Sequence, residues 1–353
     1  MPTPGDRTAG PSRRLPLALT MGDPAGIGPD VTLLSWTLRK ARDLPPFVVF
    51  GNAAVLEDRA RKLGLDVPVA STQVPQDAAE LFSRALPVRP VTGERARAGT
   101  QVDRVVVEAI EDATAATAHG ETLAIVTNPI AKQSLQNIPL AYPGHTAFLG
   151  HLAARHWPAS AIARPVMMLV SEDLRVVPAT VHIPLKDVPQ ALTIELLIDT
   201  VRTTAKALRQ SFGLSEPRLA VAGLNPHAGE GGLIGSEEAA VIEPAIAKLR
   251  AEGLSVTGPH SADSLFYPAA RAQYDAAIAM YHDQALIPLK TLSFDTGVNV
   301  TIGLPFIRTS PDHGTAYALA GTGKARPDSL IAALKLAARL AARGASPPPS
   351  AGS

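Results

Sequence analysis

The chain has 353 residues, 46% of them hydrophobic, and a formal net charge of +1 at pH 7. This balance predicts a globular protein with a substantial core, and it gives no support to binding nucleic acid or a membrane surface. The absence of cysteine excludes disulfides, thiolate metal sites and a cysteine nucleophile in this chain, and it fits a cytoplasmic protein. No stretch reaches the roughly 18 apolar residues of a membrane span, so we expect no membrane partner.

The N-terminal part of the chain predicts a strand that turns directly into a helix. Residues 1–14 are rich in Pro, Gly, Thr and Arg, and we expect them to be disordered, as we do the Pro/Ser-rich residues 345–353. Residues 15–20 predict the first strand, and GDPAGIGPD leads from it into a helix that starts near Val31. The glycines of this segment do not fit G-x-G-x-x-G, so they indicate either a tight turn or an anion-facing loop.

Strands and helices alternate along the rest of the chain. Apolar runs without polar alternation predict buried strands at residues 47–50, 123–126, 166–170, 176–181 and 219–224. Helical spacing predicts helices at residues 102–117, 194–212 and 328–344. Thr146 and Thr193 are predicted N-caps, and the Pro-rich residues 70–100 are predicted to be irregular. This order predicts an α/β protein with a mainly parallel sheet covered on both faces.

Three histidines follow predicted buried strands. His182 comes after RVVPATV, His227 after LAVAGLNP and His282 after AAIAMY. Ligands of open α/β sheets bind beyond the carboxyl ends of strands, so three imidazoles could meet there and hold a divalent metal, most typically Zn²⁺. Each histidine taken singly is better explained as a capped loop residue than as a ligand. Asp263 and Asp283 are candidates for orienting a ligand imidazole, or else turn and cap residues.

A second group of polar residues suits a phosphate or a carboxylate. It consists of His145, Thr146, Lys290, Asn299 and Arg308. Surface salt bridges are the alternative for the lysine and the arginine. The apolar residues that flank both of them favour burial instead, and therefore a binding site.

Six segments, in this order, carry a resemblance to a known family: GDPAGIGPD, PGHTAFL, GLNPHAGEGG, ADSLF, YDAAIAMYHDQ and VNVTIGLPFIRTSPDHGTA. They resemble the 4-hydroxythreonine-4-phosphate dehydrogenase family of pyridoxal phosphate (vitamin B6) biosynthesis, over nearly the whole chain from about residue 15 to 342. The chain departs from the family pattern at Ala147, where Glu is common, and at Ala285, where Gly is usual. Neither departure removes a ligand.

The resemblance implies both a fold and a set of site residues. The fold is expected to be similar to that of isocitrate and isopropylmalate dehydrogenases, with two α/β/α domains. Residues 15–130 and 290–344 would form the cofactor-side domain, and residues 131–289 the domain for metal, substrate and dimerisation. A homodimer would hold its active site at the interface. The implied roles are metal ligands for His182, His227 and His282, substrate contacts for His145, Thr146, Lys290, Asn299 and Arg308, and cofactor contacts for Gly303, Asp312 and His313.

The reaction implied by the resemblance is the oxidation of a phosphorylated hydroxy amino acid. NAD⁺ or NADP⁺ would oxidise 4-phosphooxy-L-threonine to 2-amino-3-oxo-4-phosphooxybutanoate, which loses CO₂ to give 3-amino-2-oxopropyl phosphate. A divalent metal (Zn, Mg or Co) would assist, and Lys290, Asp263 or Asp283 would accept the hydroxyl proton. One alternative is a related dehydrogenase for a four-carbon sugar-acid phosphate or an aromatic cis-dihydrodiol acid. The remote alternative is a non-redox phosphate-ligand binder or transferase.

Overall fold

A computed structural model of the chain describes residues 15–92, 100–137, 142, 144–158, 160 and 164–344. The two tails predicted to be disordered, residues 1–14 and 345–353, lie outside the described residues. None of the described helices combines the length and the apolar character needed to span a membrane.

The described strands form one sheet of twelve strands in the order β3-β4-β2-β1-β5-β12-β11-β6-β7-β10-β8-β9. Their bounds are β1 Leu17–Thr20, β2 Phe47–Gly51, β3 Val69–Ser71, β4 Leu86–Pro90, β5 Ile125–Thr127, β6 Val166–Val170, β7 Arg175–Pro178, β8 Leu219–Ala222, β9 Val256–His260, β10 Ala276–Ala279, β11 Val298–Ile302 and β12 Arg308–Pro311. Every residue of β1, β2, β8 and β10 is buried, as expected of strands that are covered on both faces. The predicted α/β class with a mainly parallel sheet is confirmed.

Helices cover both faces of this sheet. They are α1 Gly28–Thr37, α2 Ala53–Leu63, α3 Ala78–Leu81, α4 Gln101–Ala118, α5 Lys132–Gln136, α6 His145–His156, α7 Val188–Ala191, α8 Ile194–Gln210, α9 Glu243–Ala251, α10 Pro268–Arg271, α11 His282–Ser293 and α12 Asp328–Gly344. The predicted cap of α8 is confirmed, because Leu196 N donates to Thr193 Oγ1 at 3.1 Å. The predicted cap of α6 is wrong: the helix already includes His145, and Gly144 precedes it without a side-chain cap.

Residues 70–100 were predicted to be irregular, and that prediction is wrong for the part that holds α3, β4 and the end of β3. β4 has the sequence LPVRP and pairs with both β2 and β3 in parallel. Its prolines lack an N–H, which weakens the strand signal of the sequence. The pairing nevertheless forms, because the partners on both sides supply long-range contacts that a local pattern does not contain.

The two halves of the sheet run in opposite directions. Within each half the neighbouring strands are parallel, as in β1 with β2 and β5, and β10 with β7 and β8. In the centre, β11 is antiparallel to both β12 and β6, and β6 is antiparallel to β7. The carboxyl ends of β5 and β12 therefore lie at one edge of the sheet and those of β7, β8 and β10 at the other. The division into two domains at residues 130 and 290 stays a prediction.

The turn GDPAGIGPD packs tightly against two other segments of the chain. Gly22 has φ +78°, and a Cβ there would lie 2.6 Å from Pro129 O. A Cβ on Gly26 would lie 2.9 Å from Thr315 O. Tyr317 Oη donates to Asp23 Oδ2 at 2.6 Å, a second contact between the turn and the segment that contains Thr315. Close backbone approach thus accounts for these glycines, as the tight-turn interpretation requires.

Candidate active site

A cavity of about 1530 Å³ lies over the central antiparallel strands, between the two halves of the sheet. It is lined by nine of the residues predicted from the sequence: His145, Thr146, His182, His282, Lys290, Asn299, Arg308, Asp312 and His313. The strand register explains part of this convergence. Asn299 pairs with Ser310, and Thr301 with Arg308, so these side chains share the face of the sheet that looks into the cavity.

Helix α11 connects the two ends of the cavity. His282, Leu286 and Lys290 are spaced by four residues and all line the cavity, so they form one stripe along the helix. His282 begins the helix just beyond the carboxyl end of β10. Lys290 lies two turns further on, where its Nζ is 3.4 Å from Asp312 Oδ2, beyond the carboxyl end of β12. One helix therefore spans the two opposite edges of the sheet.

Arg308 is a buried cation without an acidic partner among the described residues. It donates through Nη1 to Thr301 Oγ1 at 2.8 Å and through Nη2 to Thr127 Oγ1 at 2.6 Å. Burial lowers the pKa of Arg308 to about 10, so the guanidinium stays charged at neutral pH. A buried charge that meets only hydroxyl groups favours the entry of an anion.

His145 begins α6 next to this guanidinium. Burial, with the nearby positive charge of Arg308, holds the pKa of His145 well below its usual value, so the imidazole is neutral at pH 7. Five polar atoms of cavity residues are buried without a hydrogen-bond partner among the described residues: Asn128 Oδ1, His145 Nε2, Asn299 Oδ1, Arg308 Nε and His313 Nε2. Buried polar groups are nearly always paired, so a ligand is expected to satisfy this cluster.

Asp312 and His313 follow β12 and complete this end of the cavity. Burial raises the pKa of Asp312, although the ammonium of Lys290 opposes that rise. Burial also lowers the pKa of His313, whose Nδ1 lies 3.1 Å from the carbonyl oxygen of Gly314. Gly303, the other predicted cofactor residue, lies in the turn between β11 and β12 at the opposite edge of the sheet and does not line the cavity.

Two of the three predicted metal ligands are neighbours. The ring centroids of His182 and His282 are 5.6 Å apart. His282 Nδ1 lies 2.7 Å from Asp283 Oδ1, so the carboxylate can orient this imidazole and leave Nε2 free for a metal. Partial desolvation of the ring, followed by the charge of Lys132 and by His282, lowers the pKa of His182, which favours the neutral form that ligates metals.

The third predicted ligand, His227, is exposed and does not line the cavity. Among the described residues no three His, Cys, Asp or Glu side chains are arranged to hold a metal ion. His227 does follow β8, which is next to β10 in the sheet, so it belongs to the same edge as the other two. Asp263, close enough for its charge to interact with His227, accepts a hydrogen bond from Ser261 at 2.6 Å and is also outside the cavity.

The loop that carries His227 has an unusual backbone. His227, Ala228 and Glu230 all have positive φ, at 54°, 52° and 43°. The loop is held by the buried carboxylate of Glu238, whose Oε1 accepts hydrogen bonds from Leu224 N at 2.8 Å and Asn225 N at 2.7 Å. Strain of this kind persists only where the surroundings enforce it, and it is concentrated at functional sites.

Sequence reasoning missed Lys132 and Asn128 as cavity residues. Both follow β5 in the segment TNPIAK, just as the three histidines follow β7, β8 and β10. Their position after a buried strand could have identified them as site residues. Glu238 was missed as well, because its hydrogen bonds connect it to a loop more than ten residues away in the chain.

Known proteins are similar to this chain over most of its length. A curated 4-hydroxythreonine-4-phosphate dehydrogenase from Methylorubrum populi is 53% identical over 341 residues, which cover 94% of this chain and 95% of that protein. The crystal structure of 4-hydroxythreonine-4-phosphate dehydrogenase from Klebsiella pneumoniae is 37% identical, with a TM-score of 0.79, and the match covers 93% of this chain and 100% of that one.

The chain is also similar to a solved structure that is named for a different dehydrogenase activity. The terephthalate 1,2-cis-dihydrodiol dehydrogenase from Burkholderia xenovorans is 27% identical, with a TM-score of 0.58, and the match covers 92% of this chain and 98% of that one. The sequence model of the family described as pyridoxal phosphate biosynthetic protein PdxA matches residues 43–337. Since this match spans most of the 353 residues, the chain belongs to the pyridoxal phosphate biosynthetic protein PdxA family.

Proposed function

We propose that this protein is a 4-hydroxythreonine-4-phosphate dehydrogenase that oxidises 4-phosphooxy-L-threonine with NAD⁺ or NADP⁺. The product, 2-amino-3-oxo-4-phosphooxybutanoate, then loses CO₂ to give 3-amino-2-oxopropyl phosphate. The observation that carries the proposal is the cluster of unpaired buried polar atoms beside two neighbouring imidazoles, in a member of this family. We also propose a cytoplasmic location, where a phosphorylated substrate and a nicotinamide cofactor are both available.

The buried end of the cavity suits the phosphate. Arg308 supplies a dehydrated positive charge, and its unpaired Nε can donate to a phosphate oxygen. His145 Nε2 and the hydroxyl of Thr146 can complete the contacts, because both side chains line the same cavity. Asn299 presents its amide to this end from β11. Holding one end of the substrate in this way fixes the position of the reacting carbon.

His182 and His282 fit a divalent metal by their separation and by the orientation of His282, and His227 is the proposed third ligand. Zn²⁺ is the most typical ion for three imidazoles, with Mg²⁺ and Co²⁺ as the alternatives. When bound, such an ion acts as a Lewis acid that lowers the pKa of the substrate hydroxyl and polarises the ketone. Asp283 keeps the His282 ring in the orientation that this role needs.

Among the three candidates for accepting the hydroxyl proton, the geometry supports Lys290. It alone lines the cavity, whereas Asp263 lies outside and Asp283 is engaged with His282. To accept that proton Lys290 must be neutral, and the Asp312 carboxylate, which lies 3.4 Å from its Nζ and has a pKa raised by burial, can first take up the ammonium proton. Asp312 and His313 are the proposed contacts to the nicotinamide cofactor. Gly303 stays a prediction of the sequence that this geometry does not support.

We further propose a homodimer that covers the open side of the site. His182 and His227 are exposed in the single chain, which would leave a metal in contact with bulk water. Large apolar side chains are exposed on α11, directly after it and beyond the loop that carries His227, with Ile287 64%, Phe294 75% and Leu233 83% accessible. Exposed apolar residues next to an incomplete site are typical of a subunit interface.

The test of the proposed activity is NAD(P)H formation with 4-phosphooxy-L-threonine, a four-carbon sugar-acid phosphate and an aromatic cis-dihydrodiol acid, assayed side by side. We expect turnover of the first, its loss after exhaustive chelation, and its loss in His282→Ala with the fold retained. Turnover of a dihydrodiol acid instead would favour the activity named for the Burkholderia xenovorans relative. Tight binding of phosphate esters without any NAD(P)H formation would favour a non-redox binder or transferase.

A further inference from the structure

A second cavity, of about 1080 Å³, lies on the opposite face of the sheet from the candidate active site. On strand β11, Asn299 lines the active-site cavity, whereas Val300 and Ile302 line the second cavity, and alternate residues of a strand point to opposite faces. The helices α8 and α12 and the turn between β11 and β12 contribute to its wall. A Cβ on Gly303 of this turn would lie 3.1 Å from Thr203 Cγ2, so the turn packs directly against α8. The volume of this cavity suits a small molecule.

Two aromatic side chains lie together in the wall of the second cavity. The rings of Trp157 and Phe306 are stacked, with centroids 4.9 Å apart and an interplanar angle of 29°. Phe306 is buried, whereas Trp157 is half-buried and so keeps part of its indole surface accessible. Accessible indole surface in a cavity suits a planar ring, because aromatic rings stack on one another.

The second cavity is also cationic. Besides Arg308, whose guanidinium is bonded to hydroxyl groups at the active site, three cations line it: Lys206, Arg209 and Arg343. None of its lining residues in the described part of the chain is an aspartate or a glutamate. Arg209 and Arg343 each donate to one backbone carbonyl oxygen through a single nitrogen, so their remaining N–H groups are available. Lys206 has no hydrogen-bond or ion-pair partner among the residues that the structure describes. Cations in this state favour an anionic ligand.

Helix α8 separates the aromatic pair from the cations. Thr203 lies beside the turn that carries Phe306, and Arg209 follows on the same helix at about 9 Å along the axis, for a rise of 1.5 Å per residue. Arg343 reaches the same end of the helix, because its Nη1 donates to Phe212 O directly beyond α8. The cavity therefore presents an aromatic surface at one end and positive charge at the other.

A nucleoside phosphate has the same order of groups, with a planar base, a sugar and then phosphates. Bases stack on aromatic side chains, and phosphates pair with Arg and Lys. We propose that the second cavity binds a nucleoside phosphate, with the base against Trp157 and the phosphates held by Lys206, Arg209 and Arg343. This site is separate from the proposed catalytic function and assigns the cavity a ligand of its own.

The first test measures calorimetric binding of ADP, adenosine and pyrophosphate to the full chain. We expect ADP to bind about 10-fold or more tightly than either fragment, because its base and its phosphates are held at opposite ends of the cavity. Lys206→Met should weaken ADP binding about 10-fold, as for a lost hydrogen bond to a charged group, and leave adenosine unchanged. Lys206→Arg should restore most of the loss. Lys248→Met, which removes an exposed positive charge on α9, is the matched control that should leave all three affinities unchanged.

Trp157 provides a second readout. The chain has two tryptophans, and the other, Trp36, is 4% accessible with its Nε1 bonded to Phe82 O at 3.1 Å. ADP should therefore change the fluorescence of Trp157, and Trp157→Phe should abolish that change while calorimetry still detects ADP. Trp157→Leu should weaken ADP about 5-fold or more and leave pyrophosphate unchanged. Thermal unfolding of each variant checks that the fold is retained.

Any of three results would overturn the inference. They are no ADP binding by the wild type, pyrophosphate binding as tightly as ADP, and equal ADP affinities of the wild type, Lys206→Met and Trp157→Leu. In the third case, displacement of that ADP by NAD⁺ would place it in the active-site cavity, since the proposed cofactor contains the same group. Failure of the proposed function is a separate result, because NAD(P)H formation from 4-phosphooxy-L-threonine has no part in these binding measurements.

Discussion

Arg308 is a charged side chain that is buried in the cavity wall with hydroxyl groups as its hydrogen-bond partners. A buried guanidinium loses its hydration, and here that loss is offset by hydroxyl groups and not by a carboxylate. Part of the cost of placing a charge there is recovered only when an anion arrives. Affinity and selectivity for a phosphate can therefore come from the same residue.

Replacing Arg308 by Met should separate binding from stability. We expect affinity for the phosphorylated substrate to fall by about 100-fold or more, because a charge-assisted pair is lost. The free energy of unfolding should fall by only about 1–2 kcal/mol, since no opposite charge remains buried without a partner. Calorimetric binding and urea denaturation measure the two effects. A loss of stability of about 5 kcal/mol would show that an unrecognised acidic partner is present.

His145 makes the stability of the protein depend on pH. Its pKa in the fold lies well below the usual 6.5 of the unfolded chain, so below about pH 6.5 the unfolded state binds a proton that the folded state does not. The free energy of unfolding should therefore fall as the pH is lowered, and His145→Gln should abolish that component. Urea denaturation of both proteins at several pH values provides the measurement, and parallel curves would contradict the expectation.

At the scale of elements, the sequence predicted those strands whose residues are apolar throughout, such as β2 and β8. It did not predict β12, whose sequence RTSP is polar although all four residues are buried. Arg308 faces the cavity and Thr309 donates to Ala333 O at 2.9 Å, so the partners that make burial possible come from distant segments. Strands are predicted from runs or alternations of apolar residues that pack against the core, and the sequence of β12 contains no such pattern.

The loop from Pro226 to Gly232 gives a prediction at the same scale. Both oxygens of Glu238 accept hydrogen bonds from this region: Oε1 from two backbone N–H groups, and Oε2 from Asn225 Nδ2 at 2.9 Å. Glu238→Gln replaces one of these acceptors by an NH₂ group, which would face a donor. We expect the free energy of unfolding to fall by about 1–3 kcal/mol and the affinity for a divalent metal to fall with it. Urea denaturation and metal titration are the measurements. The control is Glu243→Gln at an exposed position on α9, and equal effects of both variants would refute the role of Glu238.

At the scale of the whole molecule, the sequence predicted which residues belong to the site better than where they come together. Nine predicted residues share one cavity, but they come from strands that run in opposite directions, an arrangement set by long-range pairing alone. Gly303 shows the limit of the sequence argument. It lies within a segment that resembles the family closely, and yet in the turn between β11 and β12 it lies outside the cavity that Asp312 and His313 line.

The proposed dimer can be tested at Phe294, the exposed residue that directly follows α11. Phe294→Glu places a charge on a side chain that is 75% accessible in the single chain, so the fold should be retained. We expect sedimentation to show a shift from dimer to monomer, with activity and metal affinity reduced together, because the open side of the site would lose its cover. Val74→Glu, at an exposed position near β3, is the control. A Phe294→Glu protein that sediments like the wild type would place the interface elsewhere.

The geometry of helix α11 sets the distance between the two ends of the cavity. With a rise of 1.5 Å per residue, the eight residues from His282 to Lys290 set these two positions about 12 Å apart along the helix axis. Because both residues belong to one helix, which continues through Pro288 between them, their separation follows from the helix geometry. Inserting one residue after Leu286 would turn Lys290 by about 100° away from the cavity while His282 kept its place. The length of the molecule that this protein accepts is therefore a property of helix geometry as much as of the groups that bind it.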